Sequence, residues 1–398
     1  MAKPKQILLL VETSRVFGRG VIQGISRYGK EHANWHFHYQ DRGIREGLSP
    51  WLKDWQGDGV ITRSSTPALA EVFDQFHCPV VELLGDGNLL SPEVHTDETM
   101  TAELAVEHLL KQGFAHLGFY SFANSWWSDA RRDSFDQIIR SRELSGHIFP
   151  GAYKGDSQPY PTWKAGFEAP LVRWLDRLPK PCGIWTVADS QAIRLLEVCR
   201  KLNLRVPAEV GILGTTNDEL VCGLLTPPLS SIDLNPQEIG YKAAALLDSK
   251  MNSTDSRGSA RKEPRTPILV PPSGVVARES SNLVAVTDPV LDQAIKIIEQ
   301  NALYGLTVEE LAEEMLISRS TLERRFREYF KCSPAQEINH VRIERAKAFL
   351  RETAWPISAV GQKTGFASPE NFVRFFRRLV GETPRQYRTR LYGEDPSA

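Results

Sequence analysis

The stretch Leu306–Tyr387 carries one helix-turn-helix pattern written twice, and this duplication constrains the fold more than any other feature of the chain. The first copy holds Leu311, Ala312, Ile317, Ser318, Leu322, Arg324 and Phe326; the second holds Val360, Gly361, Phe366, Ser368, Phe372, Arg374 and Phe376. After the turn the offset is fifty residues, which pairs Leu322 with Phe372, Arg324 with Arg374 and Pro334 with Pro384. Apolar residues at helical spacing give each copy an inward face. Thr307 with Glu310 three residues on reads as a capping box, and Ser318 as the cap of the second helix. In the second copy Pro356 starts one helix, and Ser368 followed by Pro369 caps the next. A helix over roughly Ala335–Leu350 joins the two copies.

The outward positions are polar and cationic: Arg319, Ser320, Glu323, Arg324 and Arg327 in the first copy, and Glu370, Val373, Arg374 and Arg377 in the second. The whole chain has a net charge of −1, while residues 287–390 hold 17 Lys/Arg against 14 Asp/Glu. The bias is mild, but the arginines cluster on the two predicted outward faces, as phosphate and base recognition requires. An α-helix fits the major groove, and two units tied by one helix suit successive grooves about 34 Å apart. A helical bundle without nucleic acid would not require the outward arginines to repeat along with the inward hydrophobics. The arginine-dense first copy is expected to anchor more of the affinity.

Upstream, from Gln6 to about Ser230, short apolar strands alternate with helices, the pattern of parallel sheets covered on both faces. Predicted strands are Ile7–Glu12, Trp35–Tyr39, Gly59–Thr62, Pro79–Leu83, His116–Tyr120, Gly183–Val187 and Val210–Thr215. Predicted helices are Gly20–Lys30, Pro67–Gln75, Thr99–Gln112, Asp129–Arg142, Thr162–Leu178, Ser190–Leu202 and Asn235–Asp248. Polar Asn252–Thr266 reads as a loop, and Ile268–Val270 and Gly274–Ala277 as returning strands. There is material for two sheets, hence a two-lobed α/β domain, with a first crossing between lobes near Phe122–Trp127. The expected organisation is a ligand-sensing domain over 1–278, a linker over 279–287, and an all-α domain over 288–392 with helix-turn-helix units at about 307–330 and 356–380.

Two such lobes hold a small ligand in their cleft, at the carboxyl ends of the strands. Glu12, Asp97, Asp189 and the pair Thr216-Asn217 fall at strand ends, and Arg131 opens a helix after Trp126-Trp127. Carboxylates and an arginine suit sugar hydroxyls, and flat aromatics such as Trp127 suit sugar C–H faces. Asp97 and Asp189 also precede helices, so simple N-capping is the competing role for each.

Other chemistries find little support. The five cysteines are scattered without a CxxC pair, as in a reduced cytoplasmic protein. The apolar run Ile7–Val11 is too short for an export signal or a membrane span. Gly18, Gly20 and Gly24 have the wrong spacing for a dinucleotide fingerprint, and His32, His36 and His38 read as exposed residues rather than a metal site. No nucleophile motif or phosphate loop argues for catalysis, and no cofactor is expected.

Residues 288–390 resemble the DNA-binding domain of the AraC/XylS family through Pro356-Ile357, Gly365-Phe366, Phe372, Phe376-Arg377 and the run Gly381 to Arg388. The resemblance implies base contacts from Ser320, Glu323 and Arg324 in the first unit, and from Pro369, Glu370, Val373 and Arg374 in the second. The upstream region resembles the sugar-binding domain of LacI/GalR-type regulators in Ile7–Gly20, Trp51–Ile61, Arg131–Phe135, Val187–Ser190, Gly214–Leu220 and Leu269–Val276. That resemblance implies Arg131 and Asp189 as principal sugar ligands, and Phe17, inside the first matching stretch, joins the candidates. One departure stands out: where such sensors usually carry an Asp after the Val-Gly-X strand, this chain has Thr216 followed by Asn217.

The combination implies a sugar-responsive, DNA-binding transcription regulator, with a double-stranded DNA operator and a pentose of the xylose type as partners. A homodimer, a contact with RNA polymerase, and a cytoplasmic location with nucleoid association on DNA are further expectations. Activation of a catabolic operon is the expected output. A repressor answering to another sugar, or a sugar-processing enzyme with a DNA-binding tail, are the alternatives.

Overall fold

The computed structural model describes residues 3–39, 50–63, 67–85, 91–121, 126–149, 168–252, 266–284, 288–330 and 332–392. It forms two compact units, the second made of the chain from Leu283 onward together with Lys111–Gly113. The expected linker 279–287 is divided by this boundary. Glu279–Ser281 form a 3-10 turn with Ser280 and Ser281 buried in the first unit, while Val284 enters the core of the second. Residues 285–287 lie outside the described residues, as do most of the expected Asn252–Thr266 loop and the start of the Thr162–Leu178 helix.

In the first unit the chain runs β1 (Lys5–Leu10), α1 (Val16–His32), β2 (Trp35–Tyr39), β3 (Gly59–Arg63), α2 (Pro67–Phe73), β4 (Val80–Leu83) and β5 (Glu93–Thr96). It continues α3 (Glu98–Lys111), β6 (His116–Tyr120), α4 (Trp126–Ser141), β7 (Ser145–Ile148), α5 (Ala169–Arg177), β8 (Cys182–Thr186), α6 (Asp189–Lys201) and β9 (Val210–Thr215). Then come α7 (Glu219–Leu224), β10 (Ser230–Asp233), α8 (Pro236–Asn252), β11 (Ile268–Val270) and β12 (Gly274–Val276). Two six-stranded sheets result, ordered β11-β5-β4-β3-β1-β2 and β12-β10-β9-β8-β6-β7. Every pairing is parallel except that of β12 on β10. The central strands are apolar runs buried along their length, as β8 and β9 are, because helices cover both faces.

The sheet assignment moves the first crossing. β5 belongs to the first sheet and β6 to the second, so the chain crosses before His116 and not near Phe122–Trp127, of which 122–125 lie outside the described residues. Asp97 marks the crossing, since its backbone N–H donates to the carbonyl of Val270, where the chain later crosses again. The glycines of α1 serve packing. A Cβ on Gly18 would lie 1.7 Å from the Glu12 carbonyl oxygen, and one on Gly24 would lie 1.8 Å from that of Gln237 on α8. They let α1 close onto the end of β1 and onto α8.

The second unit is helical: α9 (Pro289–Asn301), α10 (Val308–Glu314), α11 (Arg319–Phe330), α12 (Pro334–Glu352), α13 (Ile357–Lys363), α14 (Pro369–Val380) and α15 (Pro384–Tyr392). The caps stand where the sequence places them. Asp288 caps α9 with Pro289 following, Thr307 and Glu310 close a capping box on α10, and Ser368 caps α14. Two cores form along α12: Ile338 joins Leu311, Leu322 and Phe326, and Ile343, Ala346 and Leu350 join Val360, Phe372 and Phe376.

Candidate functional site

At the strand ends of the first unit, the charged groups pair. Glu12, 4% exposed after β1, forms an ion pair with Arg63 at the end of β3, and the Arg63 guanidinium lies 4.6 Å from the centroid of the Phe17 ring. Burial, and then the charge of Arg131, lower the Arg63 pKa to about 10, which leaves it protonated at neutral pH. Arg131, 3% exposed on α4, grips Glu98 through Nε (2.5 Å) and Nη2 (3.0 Å), and donates Nη1 to the Val187 carbonyl at 2.7 Å. Thr96 donates its hydroxyl to the same Glu98 carboxylate, and the Trp127 ring lies 5.2 Å from the Arg131 guanidinium. Bidentate arginine–carboxylate bonds orient both partners rigidly. Trp126 Nε1 donates to the Leu84 carbonyl at 3.1 Å, so the start of α4 also touches the first lobe.

Two expected acids hold other positions. Asp97 caps α3, accepting from the Met100 amide at 2.9 Å, so the competing capping role is filled. The neighbouring Glu98 is the buried acid instead. Asp189, 4% exposed, accepts from Ser231 Oγ (2.6 Å), the Asp218 amide (2.9 Å), Thr216 Oγ1 (2.9 Å) and the Cys222 thiol (3.7 Å). A carboxylate has about four lone-pair sites, and the lobe's own donors occupy them. Burial pushes the Asp189 pKa up, and these bonds pull against that shift. Asp189 thereby fixes the turn after β9, where Thr216 (φ 108°) and Asn217 (φ 48°) both lie at positive φ. For β-branched Thr216 this is a strained conformation, worth on the order of 1–3 kcal/mol. Glu98 and Arg63 were absent from the sequence reading. Each sits one residue beyond a position it had singled out, Asp97 and Thr62.

In the second unit the two inward faces are buried as the duplication requires, with Leu322, Phe326, Phe372 and Phe376 each 0% exposed. Arg319, Ser320, Arg324, Pro369, Glu370 and Arg374 are exposed, and Glu323 and Val373 partly so. The two faces differ in their partners. Arg319 pairs with Glu309 and, at 2.8 Å, with Glu323; Arg324 pairs with Glu328 at 2.9 Å; Arg325 turns back to Asp288 at 2.7 Å. Arg374 instead bonds the neutral amide oxygen of Asn371 at 2.8 Å. Glu370 is held below the usual carboxylate range by its own backbone amide and by Ser368. Residues 306–333 hold five Lys/Arg against six Asp/Glu, whereas 356–390 hold seven against two. The second helix-turn-helix copy therefore carries the larger net positive charge, although α11 is the more arginine-dense helix.

The two helix-turn-helix copies are spaced by one continuous helix. The 19 residues of α12 span roughly 28 Å at about 1.5 Å per residue, near the 34 Å groove repeat. Arg342 on α12 donates to the carbonyls of Ala302 (2.8 Å) and Leu306 (3.0 Å) beside the first helix-turn-helix copy, and lies 5.9 Å from the Phe366 ring of the second copy. Gly365 (φ 78°) would bring a Cβ to 2.8 Å from the Ala302 carbonyl oxygen, so only glycine admits this approach.

Comparison with known proteins covers nearly the whole chain. Residues 6–90 match the XylR N-terminal domain, 106–281 a periplasmic binding protein-like domain, and 311–390 a helix-turn-helix domain. The chain is 29% identical over 395 residues to the xylose operon regulatory protein of Escherichia coli (strain K12), covering 97% of each. It is 29% identical over 392 residues to that of Haemophilus influenzae, covering 96% of this chain and 98% of the relative. The solved structure of the xylose-binding transcription activator xylR aligns with TM-score 0.60 and 27% identity over 97% of this chain and 98% of its own. A periplasmic binding protein/LacI transcriptional regulator from Alkaliphilus metalliredigens, complexed with D-xylulofuranose, aligns with TM-score 0.53 and 18% identity over 69% of this chain and 98% of its own, a likeness of fold alone. Among the described residues, no helix is long and apolar enough to cross a membrane, and no group of three or more His, Cys, Asp or Glu could hold a metal ion. The chain is a homologue of the xylose operon regulatory proteins and, like them, a DNA-binding transcription regulator rather than an enzyme.

Proposed function

We propose that the cleft of the first unit binds a pentose of the xylose type, and that its occupancy changes how the second unit engages an operator. The observation that carries the reading is the cluster Arg131, Glu98, Trp127, Arg63, Glu12 and Phe17: fixed donors, fixed acceptors and two aromatic rings at the strand ends. A sugar hydroxyl both donates and accepts, so it can insert between such paired charges without leaving either bare. Arg131 is the principal ligand in this reading, with Glu12, Phe17 and Trp127 beside it. Asp189 shapes the turn that presents Thr216 and Asn217, and Asp97 holds the crossing. In the second unit Arg319, Ser320, Glu323 and Arg324 face one major groove and Pro369, Glu370, Val373 and Arg374 the next. Arginine reads guanine and an ionised Glu accepts from cytosine.

The regulator works in the cytoplasm on nucleoid DNA. It acts as a homodimer, because one pair of reading helices gives limited specificity, and its output is activation of a pentose operon through contact with RNA polymerase. A thermal-shift screen of the full chain against pentoses, hexoses and polyols tests the ligand. Stabilisation by D-xylose or a close pentose is expected, about 2.7 kcal/mol at a hundredfold excess over Kd. Stabilisation by none of the sugars would remove the sensing half of the proposal.

A further inference from the structure

The turn after β9 is joined to the base of the linker, 61 residues further along the chain. Arg278 Nη2 donates to Asn217 Oδ1 at 3.0 Å. A guanidinium can only donate, so this bond fixes the Asn217 amide with its oxygen toward Arg278 and its N–H₂ group directed away. The Asn217 backbone N–H donates to Ser231 Oγ at 3.0 Å, and that hydroxyl donates to Asp189 at 2.6 Å. On the other side, Arg278 Nη1 donates to the Leu229 carbonyl at 2.7 Å, and Ser230 Oγ binds both the N–H (2.8 Å) and the carbonyl (3.0 Å) of Arg278. Ser280 then donates its hydroxyl to the Ile212 carbonyl at 2.6 Å and accepts from the Ser230 amide at 2.9 Å. The three serines are 0% exposed. A satisfied polar network of this kind rigidifies the segments it joins, and its one strained segment is Thr216-Asn217.

We propose that Arg278 is a positioning residue: it holds Asn217 as a hydrogen-bond donor at the strand end and carries movement of that turn into the first residues of the linker. The inference rests on the reading that ligand binds at these strand ends. It also gives the departure at Thr216-Asn217 a consequence. Where an aspartate would offer an acceptor, this chain offers an amide donor whose orientation the linker sets.

Hydrogen exchange by mass spectrometry on the full chain tests it, first without ligand. The amides of Arg278, Ser280 and Asn282 are hydrogen-bonded and report on the linker base. Asn217→Ala is expected to raise exchange over 278–282 about tenfold while leaving the first sheet unchanged, and Arg278→Met to do the same over 214–218. Arg278→Lys, which keeps the charge but loses the fork, should fall between. Unchanged exchange over 278–282 in Asn217→Ala overturns the proposal, and that variant decides the matter even if Arg278→Met fails to fold. With D-xylose added, the wild-type chain should protect both segments together, and Asn217→Ala should no longer protect 278–282. If D-xylose protects neither segment of the wild type, the sugar reading fails, while the ligand-free comparison still decides the coupling.

Discussion

Replacing Arg131 with alanine is expected to destabilise the first unit by about 3–5 kcal/mol, as removal of one partner from a buried ion pair does. The pair is 3% and 8% exposed, so the deletion takes two guanidinium donors from the buried Glu98 carboxylate and leaves it the Thr96 hydroxyl. The Val187 carbonyl loses its donor as well. Urea unfolding followed through the tryptophans of this unit measures the loss. The double change Arg131→Met with Glu98→Leu separates stability from binding. Apolar replacement of a buried pair is often neutral, so this variant should recover most of the stability and still fail to respond to sugar. A loss below about 1 kcal/mol for Arg131→Ala would mean the pair behaves as a solvated surface bridge.

Arg374→Ala should weaken specific DNA binding by about 1–3 kcal/mol, and by more than Arg324→Ala. The two faces differ in what their arginines are paired with. Arg319, Arg324 and Arg325 each carry an acidic partner, which DNA must displace or tolerate. Exposed pairs of this kind are worth only about 0.3–0.5 kcal/mol each, but their charges remain and offset the attraction to phosphate. The second helix-turn-helix copy has five more Lys/Arg than Asp/Glu across 356–390, and Arg374 has a neutral partner. Side-by-side titrations of both variants at one salt concentration measure the ranking. A larger loss from Arg324→Ala would restore the reading in which α11 dominates.

The second unit was the most legible part of the sequence, because its signals are local. Helical period, capping boxes and a fixed fifty-residue offset are all written within each copy, and the buried Leu322/Phe372 and Phe326/Phe376 pairs follow from them. The strands of the first unit were legible where both faces are apolar, as in β1, β8 and β9. β7 (Ser-Gly-His-Ile) and β10 (Ser-Ser-Ile-Asp) were missed because neither is an apolar run. In β10 the buried serines bond to Asp189, Arg278 and Ser280 instead of packing against hydrophobic neighbours. The candidate cleft was half legible for a related reason. Strand ends pointed to Glu12 and Thr216-Asn217, and the helix after Trp126-Trp127 pointed to Arg131. Which of two adjacent acids is the cap and which the buried partner depends on helix α4 packing across from Glu98, and no pattern near Asp97 records that. Arg278, placed by sequence at the edge of a linker, is tied into the first unit for the same reason: its partners lie 48 to 61 residues away.

The central claim is that one chain couples a sugar to an operator, and DNA affinity with and without sugar tests it most directly. Fluorescence anisotropy of the full-length protein on the DNA flanking its own gene, at fixed salt, gives Kd in the absence and presence of the pentose that stabilises the protein. A ligand that discriminates between two states shifts the second affinity by roughly 5- to 150-fold, so a change of at least about tenfold is expected. An identical Kd at saturating sugar, with binding of that sugar established by its thermal shift, would contradict the account.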